Sequence, residues 1–293
     1  MATPAEWWQG ARPRTLPAAV APVVAGTGAA AAVGSVVWGR ALLALVVALA
    51  LQVGVNYAND YSDGVRGTDA DRVGPVRLVG SALAAPEQVR TAALGAFAVA
   101  AATGLLLVVL AEAWPMLAVG ALAIAAAWFY TGGRRPYGYR ALGEVSVFVF
   151  FGLVAVIGTT YVQVGRVTPA SVLAGVAIGC LACAILVANN LRDVPTDTVT
   201  GKRTLAVVLG QRRTRLLFLG LVVTPYVLAL VLAVAGRPWS ALALLSAPLA
   251  VRAARPVVAD ASGRDLVPVL RDTGLTELAF AVLLAAGLAL SAD

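Results

Sequence analysis

Nine apolar runs divide this chain and constrain its fold more than any single motif: Leu16 to Val33, Ala41 to Val55, Val89 to Leu110, Trp114 to Tyr130, Val145 to Val164, Pro169 to Leu191, Leu216 to Ala235, Trp239 to Val251 and Leu275 to Leu290. Most approach the roughly 20 residues needed to cross bilayer hydrocarbon. There every backbone polar group must be satisfied within the protein, and helices do this segment by segment. The expectation is an all-α, polytopic transmembrane bundle of about nine helices, one domain over residues 1–293. A chain that is 60% hydrophobic and 13% charged, with mean hydropathy +0.86, is not an ordinary soluble domain. Small residues near Ala29 to Ser35 would suit signal-peptide cleavage, but the length of the first run and the later spans favour an uncleaved helix. Trp239 to Val251 is the shortest run and contains Pro248.

Charge tests this count. Arg40, Arg166 and Arg237 stand on one side of a nine-helix arrangement, and the other 19 of the 22 Lys and Arg residues stand on the opposite side. That asymmetry places the N-terminus and the 2/3, 4/5, 6/7 and 8/9 loops in the cytoplasm, and the C-terminus outside, for a multi-pass protein of the cell membrane. Acids divide similarly, with Glu112 and Asp293 on the outer face, and no helix interior is expected to carry an unpaired charge. Trp7, Trp8, Arg12 and Arg14 suit an N-terminal segment lying at the lipid headgroups. No nucleic-acid partner is expected.

Two polar islands interrupt the apolar pattern. The first, NYANDYSDGVRGTDAD from Asn56 to Asp71, closes the second run; if its helix continues to Asp63, then Asn56, Asn59/Asp60 and Asp63 fall on one face. The second closes the sixth run with Asn189, Asn190, Arg192, Asp193 and Asp197, followed by Gly201, Lys202, Arg203 and Thr204. Asn189, Asp193 and Asp197 again share a face if the helix persists. Both islands occupy helix C-termini, where the macrodipole disfavours acids, so a cation should compensate. The chain has no His, and Cys180 and Cys183, three apart in an apolar run, read as packing residues. Any metal must therefore bind oxygen, which suits Mg²⁺ held by carboxylates and substrate phosphate.

Arg66, Arg72, Arg134, Arg135, Arg140, Arg192, Lys202 and Arg203 surround the islands. Together they read as a diphosphate site. The competing readings are solvated loop charges and, in a different functional class, a cation-coupled transporter. Against the transporter, the acids gather at one membrane edge rather than at the midplane.

The two islands resemble the paired aspartate motifs of the UbiA superfamily of intramembrane prenyltransferases, NDYSD with the later Asp69 as the first and NNLRDVPTD as the second. ARPRTLPA at Ala11 to Ala18, YTGGRRPYGYRALGE at Tyr130 to Glu144 and GKRTLAVVLG at Gly201 to Gly210 narrow the resemblance to the 1,4-dihydroxy-2-naphthoate polyprenyltransferases of menaquinone synthesis. Gly67 departs from the usual acid spacing. The resemblance implies a helical bundle around a tunnel open to lipid, with a cytoplasmic cap formed by the 2/3, 4/5 and 6/7 loops, and Mg²⁺-dependent transfer from a polyprenyl diphosphate to the naphthoate ring with loss of its carboxylate. Other members use acceptors such as 4-hydroxybenzoate or homogentisate.

On this reading Asp60, Asp63, Asp193 and Asp197 hold Mg²⁺, and Asn56, Asn59 and Asn189 assist them directly, through water or from behind. Lys202, the only lysine, contacts the diphosphate. Arg66, Arg134, Arg135 and Arg140 either bind phosphate or anchor loops in the cytoplasm. Glu144 opens a helix where an acid favours the dipole, and in the family motif it would hold an arginine or the acceptor. Tyr139 and Tyr161 are weaker candidates for facing a carbocation or aromatic ring, and Gly64 and Gly67 for a mobile element of the cap.

Overall fold

The computed structural model describes residues 2–67 and 77–292, so Asp69, Asp71 and Arg72 lie outside the described residues. Ten helices follow one another: α1 Pro4–Gly10, α2 Pro17–Ala31, α3 Trp38–Arg66, α4 Pro86–Ala111, α5 Met116–Phe129, α6 Gly143–Val164, α7 Pro169–Val199, α8 Leu205–Val234, α9 Pro238–Val258 and α10 Val267–Leu290. Among the described residues, seven segments are long and apolar enough to span a bilayer, and α2 and α5 are shorter apolar helices, so the nine runs map one to one onto α2 to α10. The remaining helix, α1, is the N-terminal segment. It starts at a reciprocal cap in which the Thr3 hydroxyl accepts from Glu6 N–H and the Glu6 carboxylate accepts from Thr3 N–H.

The runs predict where helices are, but not where they stop. Helix α3 continues past Val55 to Arg66, and α7 past Leu191 to Val199, carrying Asn56 to Asp63 and Asn189 to Asp197 on helix. The start of α7 is as expected: the Thr168 hydroxyl accepts from Ser171 N–H at 3.0 Å and Pro169 takes the first helical position. Helix α6 is not uniform, because Phe148–Val154 winds as a π-helix. It packs there on α7 at glycines: a Cβ on Gly152 would sit 2.5 Å from the Gly179 Cα.

Small side chains set the spacing of the bundle. Ala21, Ala25 and Ala29 of α2 meet Ala177, Ile178 and Leu181 of α7 and Phe280 and Leu284 of α10 in one fully buried cluster. Outward-facing Leu42, Leu110, Leu122, Val223 and Leu245 remain exposed, as lipid contact requires. At one end the Arg40 guanidinium donates to Leu110 O and Val162 O, tying the start of α3 to the last turns of α4 and α6. The polar islands gather at the other end.

One expectation fails within the bundle. Glu277 of α10 is 0% exposed, and neither carboxylate oxygen finds a hydrogen-bond partner among the described residues. An isolated acid inside an apolar run was overlooked because the run remains apolar on average.

Candidate active site

Helices α2 to α7, with Leu270 of α10, enclose a cavity of about 640 Å³. Its long wall is apolar: Ala19 and Val23 of α2, Val47 and Leu51 of α3, Leu105 and Val108 of α4, Leu117 and Ile124 of α5, and Phe150 and Phe151 from the π-helical turn. Polar groups line its other end: Asn56, Asn59, Asp63, Tyr139, Asn189, Asn190, Asp197 and Lys202. The cavity is thus shaped for a molecule that is hydrocarbon over most of its length and anionic at its head.

Three chain segments converge on Asp63. Arg66, at the end of α3, donates to Thr131 O and Gly133 O in the α5–α6 loop and lies 5.7 Å from the centre of the Tyr139 ring. That loop delivers Tyr139, whose hydroxyl donates to Asp63 Oδ1 at 2.5 Å. The third segment begins where α7 stops. Gly201 has φ +75°, a left-handed conformation that returns the chain so that Lys202 N–H donates to Asp197 O at 2.9 Å. Lys202 Nζ then sits 3.5 Å from Asp63 Oδ2 and 4.5 Å from the Tyr139 ring centre. Arg203 N–H donates to Tyr139 O at 3.2 Å, stitching the two loops together.

The four aspartates expected to act together divide into two pairs. Asp63 and Asp197 line the cavity; Asp60 and Asp193 do not. The Asp60 carboxylate accepts from Leu78 N–H at 2.7 Å and Val79 N–H at 3.1 Å, holding the segment after the α3 loop against the helix. Gly64 permits that approach, since a Cβ there would fall 2.5 Å from a Val79 methyl. Asp193 is gripped by its neighbour Arg192, whose Nε and Nη2 donate at 2.6 and 2.8 Å. Arg192 also donates to Asn189 Oδ1 at 2.9 Å.

The asparagines differ in the same way. Asn59 faces the cavity and accepts from the Thr131 hydroxyl at 2.7 Å. Asn56 also reaches the wall, but its Nδ2 donates to Ala11 O at 2.9 Å and Thr15 Oγ1 at 3.0 Å, fastening the N-terminal segment over α3. Glu144, buried at the start of α6, accepts from Asn190 Nδ2 at 2.9 Å and does not line the cavity. Arg134, Arg135 and Arg140 are exposed and off the cavity wall. Tyr161 packs in the apolar cluster around Val23, Ala44 and Leu107, well removed from Asp63.

Arg12 and Arg77 line the polar end and were not singled out as site residues. Arg77 is only 8% exposed; its signal in the sequence was a guanidinium between two apolar residues, Val76 and Leu78. Arg12 stands at φ +55°, a left-handed position that a non-glycine residue seldom takes, within the strap held by Asn56. Tyr137 completes the wall near Asn190: it donates to Ala126 O at 2.7 Å, so the Ser146 hydroxyl 2.9 Å away must donate to it. Burial pushes the Tyr137 phenol above its ordinary pKa and keeps it neutral.

The donor set suits a hard divalent cation. Among the described residues no three acidic, Cys or His side chains converge. Protein ligands would therefore be drawn from the cavity-lining carboxylates and amide oxygens, with water and substrate oxygens filling the remaining positions.

The UbiA prenyltransferase family profile matches residues 19–266. The chain is 59% identical over 289 residues to the 1,4-dihydroxy-2-naphthoate octaprenyltransferase of Mycobacterium tuberculosis, covering 99% of this chain and 98% of that protein. It is 40% identical over 275 residues to the Escherichia coli protein of the same name, covering 91% and 89%. A UbiA homolog from Archaeoglobus fulgidus, solved with GPP and Mg²⁺, shares the fold with TM-score 0.69 at 15% identity, over 97% of this chain and 99% of that one. An apolar helical bundle whose cavity ends between two aspartate-bearing helices, matched by a family profile over most of its length, makes this chain a member of the UbiA prenyltransferase family.

Proposed function

We propose that the protein transfers a polyprenyl group from polyprenyl diphosphate to 1,4-dihydroxy-2-naphthoate, releasing diphosphate and the ring carboxylate as CO₂, to give the prenylated 1,4-diol, which is the reduced form of demethylmenaquinone. The observation that carries this reading is the single cavity wall that is apolar along its length and ends at Asp63, Asp197, Lys202 and Tyr139. The high identity to the mycobacterial and enteric octaprenyltransferases supports the choice of acceptor.

In this reading Asp63 and Asp197 hold Mg²⁺, with Asn59 and Asn189 assisting. Asp60 and Asp193 support the site from outside the cavity. A bound Mg²⁺ supplies Lewis-acid stabilisation of the charge that builds on the departing diphosphate. Lys202 adds a positive charge at that point, and Arg12 and Arg77, which also line the cavity, add theirs. Tyr139 fixes Asp63 through its hydroxyl and so sets the direction of the carboxylate. The apolar wall excludes water from the allylic carbon while the electron-rich ring attacks it. The protein sits in the cell membrane with this polar end and its N-terminus towards the cytoplasm, as the charge asymmetry favours.

The test is product formation by purified protein given Mg²⁺, a polyprenyl diphosphate and a panel of acceptors. Prenylation of dihydroxynaphthoate with release of CO₂, abolished by EDTA and restored by Mg²⁺, is the expected result. Preference for 4-hydroxybenzoate or homogentisate overturns the acceptor. Cation-dependent uptake into proteoliposomes without any prenylated product overturns the reaction class.

A further inference from the structure

Asn190 has an orientation that selects what it can bind. Its Nδ2 is committed to Glu144 Oε1 at 2.9 Å, and only the nitrogen end of the amide can donate to a carboxylate. Its Oδ1 makes no hydrogen bond among the described residues, although Asn190 is just 8% exposed and lines the cavity. An amide oxygen facing a cavity is an acceptor. It repels phosphate or carboxylate oxygens, and an apolar prenyl chain would leave it unsatisfied. The fitting partner is a hydroxyl group.

The surroundings favour an aromatic hydroxyl. Asn190 lies seven residues before Asp197 on α7, about 10 Å along the helix axis from the proposed diphosphate end. Tyr130, Tyr137 and Ser146 line the cavity with it. With its nitrogen end turned to Glu144, Asn190 offers this patch an acceptor, which suits an O–H dipole. Glu144 is itself held in place, since Cys183 Sγ donates to its backbone oxygen at 3.1 Å.

We propose that Asn190 Oδ1 accepts a hydrogen bond from a ring hydroxyl of the aromatic acceptor, and that Glu144 is a positioning residue that fixes the Asn190 amide with its oxygen towards the cavity. This rests on the dihydroxynaphthoate reading above. It differs from the expectation for Glu144 itself, because Glu144 acts through Asn190 and does not touch substrate.

The test varies each substrate separately with full-length protein in proteoliposomes. Asn190→Ala should raise KM for dihydroxynaphthoate about ten-fold, the upper range for one neutral hydrogen bond, while KM for the polyprenyl diphosphate stays within about three-fold. Glu144→Leu should shift the acceptor KM in the same way, Glu144→Gln should largely restore it through its amide oxygen, and the Glu144→Leu/Asn190→Ala double variant should be no worse than either single. A monomethyl ether of the acceptor at the hydroxyl concerned should be discriminated against by wild type but not by Asn190→Ala. If Asn190→Ala does not fold, the same ether comparison in Glu144→Leu decides. The assignment is overturned if both KM values rise together, if Glu144→Gln fails to rescue, or if ether discrimination survives. Wild-type protein that ignores dihydroxynaphthoate altogether overturns the functional reading and this assignment together, whereas normal turnover without the KM split overturns this assignment alone.

Discussion

Asp60 and Asp63 stand three residues apart with the same functional group, yet substitution should damage them in different ways. Asp60 satisfies two backbone N–H groups, of Leu78 and Val79, and is 1% exposed. Asp60→Ala leaves both donors unsatisfied, at about 1–3 kcal/mol each, so its apparent Tm in detergent should fall by several degrees. Asp63 faces the cavity beside Lys202 and Tyr139. Asp63→Asn and Asp197→Asn should leave thermal unfolding near wild type but lower turnover by roughly 100-fold or more, since charge stabilisation at a leaving group commonly supplies several kcal/mol. Parallel melting curves and Mg²⁺ titrations of the three variants separate the roles; a stable, inactive Asp60→Ala would return Asp60 to the metal set. Helical spacing alone could not make this division. Residues 56 and 60 form one stripe and 59 and 63 another, offset by only about 60° around the helix. Which stripe faces the cavity depends on Ala11, Thr15 and Leu78, partners far away in the chain.

At the scale of the element, hydropathy found every long helix but misjudged ends and internal winding. Helices α3 and α7 run eleven and eight residues past their apolar runs because Asn, Asp and Arg there find partners in the cap instead of water. The short run at Trp239 has a different cause: Pro238–Ser246 is a 3₁₀ helix, which rises about 2.0 Å per residue, so with Ala247–Val258 the segment reaches roughly 36 Å. The π-helical turn of α6 had no hydropathy signature at all, since it depends on Gly152 meeting α7. A Cβ there would lie 2.5 Å from Gly179 Cα and 2.6 Å from Gly175 O, both backbone atoms that cannot rotate away. Gly152→Ala should therefore separate α6 from α7, at about 1–3 kcal/mol of stability. The same shift moves Phe150 and Phe151, so turnover with a long prenyl donor should fall more than turnover with a short one. Equal loss with both donors would confine the effect to stability.

For the whole molecule, the legible feature was the charge asymmetry, and it makes a prediction about orientation that depends on no single contact. The described ends of the bundle are chemically unlike: one gathers Asp63, Asp197, Lys202 and the loop of Arg134 and Arg135, while the other is tied by Arg40. Threaded as nine helices, the sequence puts nineteen Lys and Arg residues on one side and three on the other, a bias strong enough to set insertion. Cys180 and Cys183 are buried, so a membrane-impermeant maleimide should give little background in the native protein. Arg134 and Arg166 are both exposed, one in the α5–α6 loop and the other in the α6–α7 loop. Arg134→Cys should label in inverted membrane vesicles and not in intact cells, and Arg166→Cys should do the reverse. The reverse pattern for both would put the polar end of the cavity outside the cell, away from the soluble pools of Mg²⁺ and naphthoate that the proposed reaction draws on. Labelling of both from one side would mean that α6 does not cross the bilayer, although its 22 residues, at about 1.5 Å each, are long enough to do so.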